Sequence, residues 1–284
     1  MSLTEEHPPG EVLRAIDVSM TYTTQRGRQV DALQSTTLDV HRGEFLSLIG
    51  PSGCGKSTLL YMLAGLRKPT AGHIEIDGSK LSGPDPTKIG FVFQDYTLFP
   101  WRTILANTEV GLEFRGVGKA ERREIALSKL DLVGLSAFAD MYPGELSGGM
   151  QQRVAIARAL AMDPEVLLMD EPFGALDEQT RTVMGEELSR ILDNSGKTIV
   201  FVTHSLGESV FLSDRIAVLT ARPGEIKKII PVPEPRPRDV SYTTTPEFAS
   251  IRNEIFELLR DEVQQAMLAE TGGGLRKLQL GAKK

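Results

Sequence analysis

The chain has 284 residues, 40% of them hydrophobic, 25% charged, with a net charge of −6. That length and apolar content sustain one large domain or two smaller ones, and the acidic balance points away from nucleic acid as a partner. The single cysteine, Cys54, excludes an intrachain disulfide and points to a reducing compartment.

Residues 1–10 read as a disordered leader, polar and acidic and unlike a signal peptide. Strand-forming residues then fill VLRAIDVSMTY and the stretch around STTLDV, with polar TTQRGRQ between them. This pattern predicts strands of an antiparallel layer. Four apolar runs follow: EFLSLI (44–49), IGFVF (89–93), EVLLM (165–169) and TIVFVT (198–203). None alternates with polar residues, as expected of strands buried on both faces of a parallel sheet. Helical patterns between them predict a layered α/β fold. The segment between Gln94 and Ser147 is amphipathic and helical, which places an inserted helical lobe at about 97–155. RPGEI, after Ala221, is a turn. The domain is expected over 11–230, with proline-rich PVPEPRPR beginning a linker at 231–246. In 247–284, Phe248, Ile251, Ile255, Leu258, Leu259 and Val263 recur at helical spacing, predicting an amphipathic helix and a frayed, GGG-containing tail. No run reaches the roughly 18 apolar residues of a membrane helix. Service to a membrane is therefore expected through partners, from the cytosolic side.

The residues that end the four runs matter most. EFLSLI leads into GPSGCGKST, IGFVF into Gln94, EVLLM into Asp170 and Glu171, and TIVFVT into His204. Open α/β sheets bind ligands at the carboxyl ends of their strands. Gly50, Pro51, Ser52, Gly53, Cys54, Gly55, Lys56, Ser57 and Thr58 form a phosphate loop in its required strand–loop–helix context. Its glycines let backbone N–H groups turn inward around phosphate oxygens, and the helix start adds positive partial charge. Lys56 is expected on the β- and γ-phosphates of ATP, and Ser57 on Mg²⁺.

Asp170 suits Mg²⁺ through its water shell, and Glu171 suits polarising the attacking water. An acidic pair after a strand also serves as a helix cap or ion pair. His204 can hydrogen-bond a γ-phosphate, and the Gln94 amide can ligate Mg²⁺ and orient water. From position alone, the alternative for Gln94 is an ordinary strand-end glutamine. Tyr22 can stack on adenine, or be a core or surface aromatic. Cys54 sits at a helix start, which lowers thiol pKa. Its alkylation or oxidation is then expected to block nucleotide binding, unless it is a small filler. ELSGGMQQR (145–153) is a second glycine-rich helix start, followed by VAIARALAM.

GPSGCGKST, Gln94, LSGGMQQR, VLLMDEP, GALD and His204, in this order, resemble the ATP-binding subunit of an ABC transporter over roughly residues 11–225. LFPWRTILANTEVGL, MDEPFGALDEQTR, THSLGESVFLSDR and ARPGEI are similar to the nitrate/sulfonate/taurine importer branch. The resemblance implies a phosphate-loop NTPase fold and a head-to-tail dimer with a second copy or a similar ATPase subunit. In that dimer Ser147, Gly148 and Gly149 meet the γ-phosphate of ATP held by the partner, and Asp177 belongs to a loop crossing the interface. Met150 replaces the family's usual glutamine, and Ser205 an aspartate common elsewhere. Two transmembrane permease subunits are implied, one docking near Tyr96, Phe99 and Trp101, with a solute-binding protein acting indirectly. Those aromatics otherwise serve to pack the lobe. The expected location is the cytoplasmic face of the plasma membrane, as a peripheral protein. A soluble ABC ATPase of DNA repair or translation, and an exporter subunit, are the competing expectations. Nitrate, an alkanesulfonate, taurine or a related organic solute all fit as cargo.

Overall fold

Strands β3 (Phe45–Ile49), β7 (Val166–Asp170) and β8 (Thr198–Val202) are buried at every position. In this computed structural model, which describes residues 10–174, 178–193 and 196–281, they form the centre of a six-stranded sheet. The order is β10-β9-β3-β8-β7-β6, with β6 at Ile89–Val92, β9 at Arg215–Leu219 and β10 at Ile226–Pro231. All pairings are parallel except β10 on β9. The four apolar runs are thus lateral neighbours whose carboxyl ends share one edge. β9 and β10 escaped the sequence reading because IAVL is short and IKKII interleaves lysines.

Period-two alternation feeds a separate core on each face of this sheet. Leu46, Leu48, Leu168, Val200, Val202 and Ala217 point to one side. There they meet helix α1 (Lys56–Leu63) and an antiparallel sheet. That sheet has the order β2-β1-β4-β5, built on the long hairpin of β1 (Glu11–Thr23) and β2 (Gln29–His41), with β4 at Ala71–Ile76 and β5 at Ser79–Lys80. Phe45, Ile49, Leu167, Met169, Ile199 and Phe201 point the other way. They pack against α4 (Gly148–Ala161), α5 (Glu178–Asp193), α6 (Leu206–Leu212) and the start of α7 (Pro246–Gly281).

A third core lies among α2 (Ile104–Phe114), α3 (Lys119–Leu132) and α4. The segment entering this lobe is held by Asn107, which is fully buried. Its amide accepts from the Phe99 N–H at 2.7 Å and donates to the carbonyls of Phe99, Arg102 and Thr103. Arg158 donates to the carbonyls of Tyr96 and Thr97. So gripped, the segment leaves Trp101 72% exposed.

The proline-rich stretch, expected as a linker, is seated on the body. Arg238 is buried and donates to the carbonyls of Val210 and Phe211 at the end of α6, where a cation complements the helix dipole. Arg236 pairs with Asp214 at 2.8 Å. Phe248 and Ile255 of α7 are buried, and Ile251, Leu258 and Leu259 pack beside them. The backbone of α7 stays helical through the glycines at 272–274, where a frayed tail was expected. The Val263 side chain, residues 1–9 of the expected leader and residues 282–284 of the tail lie outside the described residues. No helix among the described residues is long and apolar enough to cross a membrane.

Candidate functional site

The carboxyl ends of β3, β6, β7 and β8 meet the tip of the β1–β2 hairpin around a cleft of about 560 Å³. Its walls include Tyr22, Lys56, Ser57, Gln94, Glu171 and His204. The loop from Gly50 turns into α1 at Gly55, which has φ 101° and whose missing Cβ would stand 2.8 Å from the Ala32 carbonyl. Only glycine fits there. Lys56 is buried and arches over its own loop, donating to the carbonyls of Gly50 at 2.8 Å and Pro51 at 3.1 Å.

Ser57 Oγ donates to Asp170 Oδ1 at 2.8 Å, across 113 residues of sequence. Asp170 is buried, which pushes its carboxyl pKa up against the opposing hydrogen bonds from Ser57 and Tyr61. The Ser57 hydroxyl and the Gln94 amide line the cleft, and the Asp170 carboxylate lies directly behind Ser57, an all-oxygen donor set suited to a hard cation such as Mg²⁺.

Glu171 holds the left-handed conformation, φ 44°, unusual for a residue with a side chain. Its N–H donates to the Val202 carbonyl at 3.0 Å, which turns its carboxylate toward the end of β8. There His204 Nδ1 lies 3.3 Å from Glu171 Oε2. The other ring nitrogen, Nε2, lies 3.4 Å from Arg181 Nη1. A guanidinium only donates, so Nε2 accepts and the proton sits on Nδ1, facing Glu171. Arg181 pairs in turn with Glu208 at 3.3 Å, and Thr203 donates to Glu208 at 2.5 Å. Burial pushes the Glu208 carboxyl up, with Thr203 and Arg181 opposing.

Most of the residues expected from sequence converge here: Tyr22, Gly50, Ser52, Gly53, Gly55, Lys56, Ser57, Thr58, Gln94, Glu171 and His204 line the cleft. The Tyr22 hydroxyl lies 3.2 Å from Thr58 Oγ1, and the Arg67 guanidinium stands 5.2 Å over its ring. Pro51 and Cys54 belong to the loop but not to the wall. Cys54 is 1% exposed, and burial pushes its thiol up despite the nearby Lys56 ammonium. Desolvation therefore outweighs the helix-start effect expected from sequence. Ser147, Gly148 and Gly149 are absent from the cleft lining. Ser147 is exposed, caps α4 and accepts weakly from the Met150 N–H at 3.4 Å. Asp177 lies outside the described residues. Sequence reasoning missed Arg181, Glu208 and the cleft residue Arg222, since no local pattern reports contacts made across long stretches of chain.

The ABC transporter family model matches residues 33–174. An uncharacterized ABC transporter ATP-binding protein of Methanocaldococcus jannaschii is 53% identical over 241 residues, 85% of this chain and 89% of its own. The chain belongs to the ABC transporter family. As an ABC ATPase it is also similar to the nitrate import ATP-binding protein NrtD of Synechocystis, with 46% identity over 87% of this chain and 95% of that one. A dimeric ATP-binding cassette solved in a post-hydrolysis state with ADP and Pi superposes with TM-score 0.70 and 38% identity, covering 78% of this ABC ATPase and 99% of that chain. ATP binding and hydrolysis coupled to transport are the activity of this family.

Proposed function

We propose that this ABC ATPase energises an importer for a small anion or related solute of the nitrate, sulfonate or taurine kind. Relatives named as nitrate and bicarbonate transport ATP-binding proteins support an importer over a DNA-repair ATPase or an exporter. The observation that carries the catalytic part is the convergence of Ser57, backed by its hydrogen bond to the buried Asp170, and the Glu171–His204 pair on one cleft beside Lys56.

Backbone N–H groups of 52–58 cradle the phosphates, and Lys56 leaves the loop carbonyls for the β- and γ-phosphate oxygens. Tyr22 stacks on the base. Ser57, Asp170 and Gln94 hold Mg²⁺, which when bound supplies charge neutralisation on the phosphates. Glu171 accepts the proton of the attacking water. His204 exchanges Arg181 for the γ-phosphate, which requires its proton on Nε2. The exposed Ser147 cap, with Gly148, Gly149 and Asp177, completes the cleft of a second subunit in a head-to-tail dimer. That geometry explains why a second glycine-rich helix start stands outside the cleft of its own chain. Two ATP molecules bridge the subunits and hydrolysis releases them, so the work comes from different affinities for closed and open states. The dimer lies on the cytoplasmic face of the membrane beneath two transmembrane subunits, one against each exposed Trp101.

Co-purification with the neighbouring membrane subunits tests this reading. An anionic solute, presented by its binding protein, is expected to stimulate ATP hydrolysis by the reconstituted complex. Turnover indifferent to nitrate, sulfonates and taurine alike would remove the importer branch from the assignment.

A further inference from the structure

Arg222 lies in the turn between β9 and β10, far in sequence from every expected nucleotide contact, yet it lines the cleft. We propose that Arg222 is a nucleotide-binding residue at the nucleoside end of the cleft, and that α7 holds it in place through Glu262. This rests on reading the cleft as the ATP site.

Its position follows from its neighbours. Arg222 Nε donates to the Asp31 carbonyl at 3.3 Å. Asp31 follows Val30, which pairs across the hairpin with Tyr22. Arg222 therefore stands on the Tyr22 side, beyond β9, whereas Glu171 and His204 follow β7 and β8, across β3 along the same sheet edge. A guanidinium there meets the α- or β-phosphate, or the ribose, of a bound nucleotide rather than its γ-phosphate.

The turn that carries it is built to hold still. Gly224 N–H donates to the Ala32 carbonyl at 3.0 Å, and Gln34 N–H donates to the Gly224 carbonyl at 2.9 Å. The Gly224 backbone presses so closely on the phosphate loop that a Cβ would fall 1.8 Å from the Cys54 carbonyl oxygen. On its outer side, Ala221 N–H donates to Glu262 Oε2 at 2.8 Å. Glu262 is buried and pairs through Oε1 with Lys227 at 2.6 Å, and Lys227 also donates to the Leu258 carbonyl at 3.2 Å. The backbone just before Arg222 is thus tied to α7. A cation on so fixed a turn loses little freedom on meeting an anion.

Titration calorimetry of the full chain with Mg-ADP and with a non-hydrolysable ATP analogue tests both parts. Arg222→Ala is expected to weaken both ligands about tenfold, which is about 1.4 kcal/mol, with Arg222→Lys falling between. Equal loss for both ligands supports the nucleoside-end placement, and loss confined to the ATP analogue overturns it. Lys56→Ala separates this inference from the reading beneath it. If Lys56→Ala abolishes binding while Arg222→Ala stays within about twofold of wild type, the Arg222 contact is wrong and the ATP site stands. If Lys56→Ala changes nothing, the cleft is not the ATP site and both fall. Glu262→Ala, confirmed folded by circular dichroism, is expected to weaken both ligands about threefold. Wild-type affinity in that variant removes α7 from the proposal.

Discussion

The imidazole of His204 stands 3.3 Å from the carboxylate of Glu171, Nδ1 against Oε2. With Glu171 as the proposed proton acceptor, removing its charge removes the acceptor without emptying the cleft. Glu171→Gln is therefore expected to bind ATP normally, trap a stable dimer and hydrolyse at least about 10²-fold more slowly. Turnover near wild type, measured by phosphate release, would falsify Glu171 as the base.

Ser147 is exposed at the start of α4, outside the cleft of its own chain. A bulky cation placed there obstructs a partner but not the resident nucleotide. Ser147→Arg is expected to leave ATP binding by the isolated subunit unchanged and to abolish ATP-induced dimers in size-exclusion chromatography. Weakened binding by the monomer would mean the motif acts within one chain.

Cys54 is buried in the phosphate loop with its thiol pushed up. The thiolate is the reactive form, so iodoacetamide at neutral pH is expected to label Cys54 slowly in the folded protein and rapidly after unfolding. Fast labelling of the native chain, followed by mass spectrometry, would restore the redox-sensitive reading.

The Gly224 contact has a steric consequence that a melting curve reads. Its Cβ would meet a backbone oxygen, which cannot swing aside. Gly224→Ala is expected to destabilise by about 3 kcal/mol, lowering Tm by about 6–12 °C. Gly144, with open space around it, supplies the control: Gly144→Ala is expected within about 0.5 kcal/mol of wild type. Equal melting of the two variants refutes the close approach.

Burial raises the Glu262 carboxyl, but the Lys227 ammonium and the Ala221 N–H overcome it and hold the pKa below the usual glutamate range. A depressed carboxylate contributes stability above its unfolded pKa and loses it as pH falls through the folded one. Wild type is therefore expected to melt above Glu262→Gln at neutral pH, with the gap closing between the usual glutamate value and the lower folded one. A gap independent of pH from 7 to about 3 contradicts the clamp.

The edge that carries the cleft was legible because β3, β6, β7 and β8 are buried on both faces and so appear as unbroken apolar runs. Whatever polar residue ends such a run lands at the same edge. The left-handed bend at Glu171 and the Ser57–Asp170 bond were not legible, since both need chain segments far apart to be brought together. The setting of Cys54 was legible only in part, because a helix start is visible in sequence and the depth of burial is not. PVPEPRPR looked like a spacer because its prolines are conspicuous. What seats it is Arg236 on Asp214 and Arg238 on the carbonyls ending α6, contacts that composition does not announce.

The bond from the Glu171 N–H to the Val202 carbonyl joins Glu171 to the strand that ends two residues before His204. A shift of the tip of β8 is therefore expected to reach Glu171 and His204 together, as two teeth on one gear. Pressure on this subunit from outside is then expected to move the proposed base and the histidine as a pair.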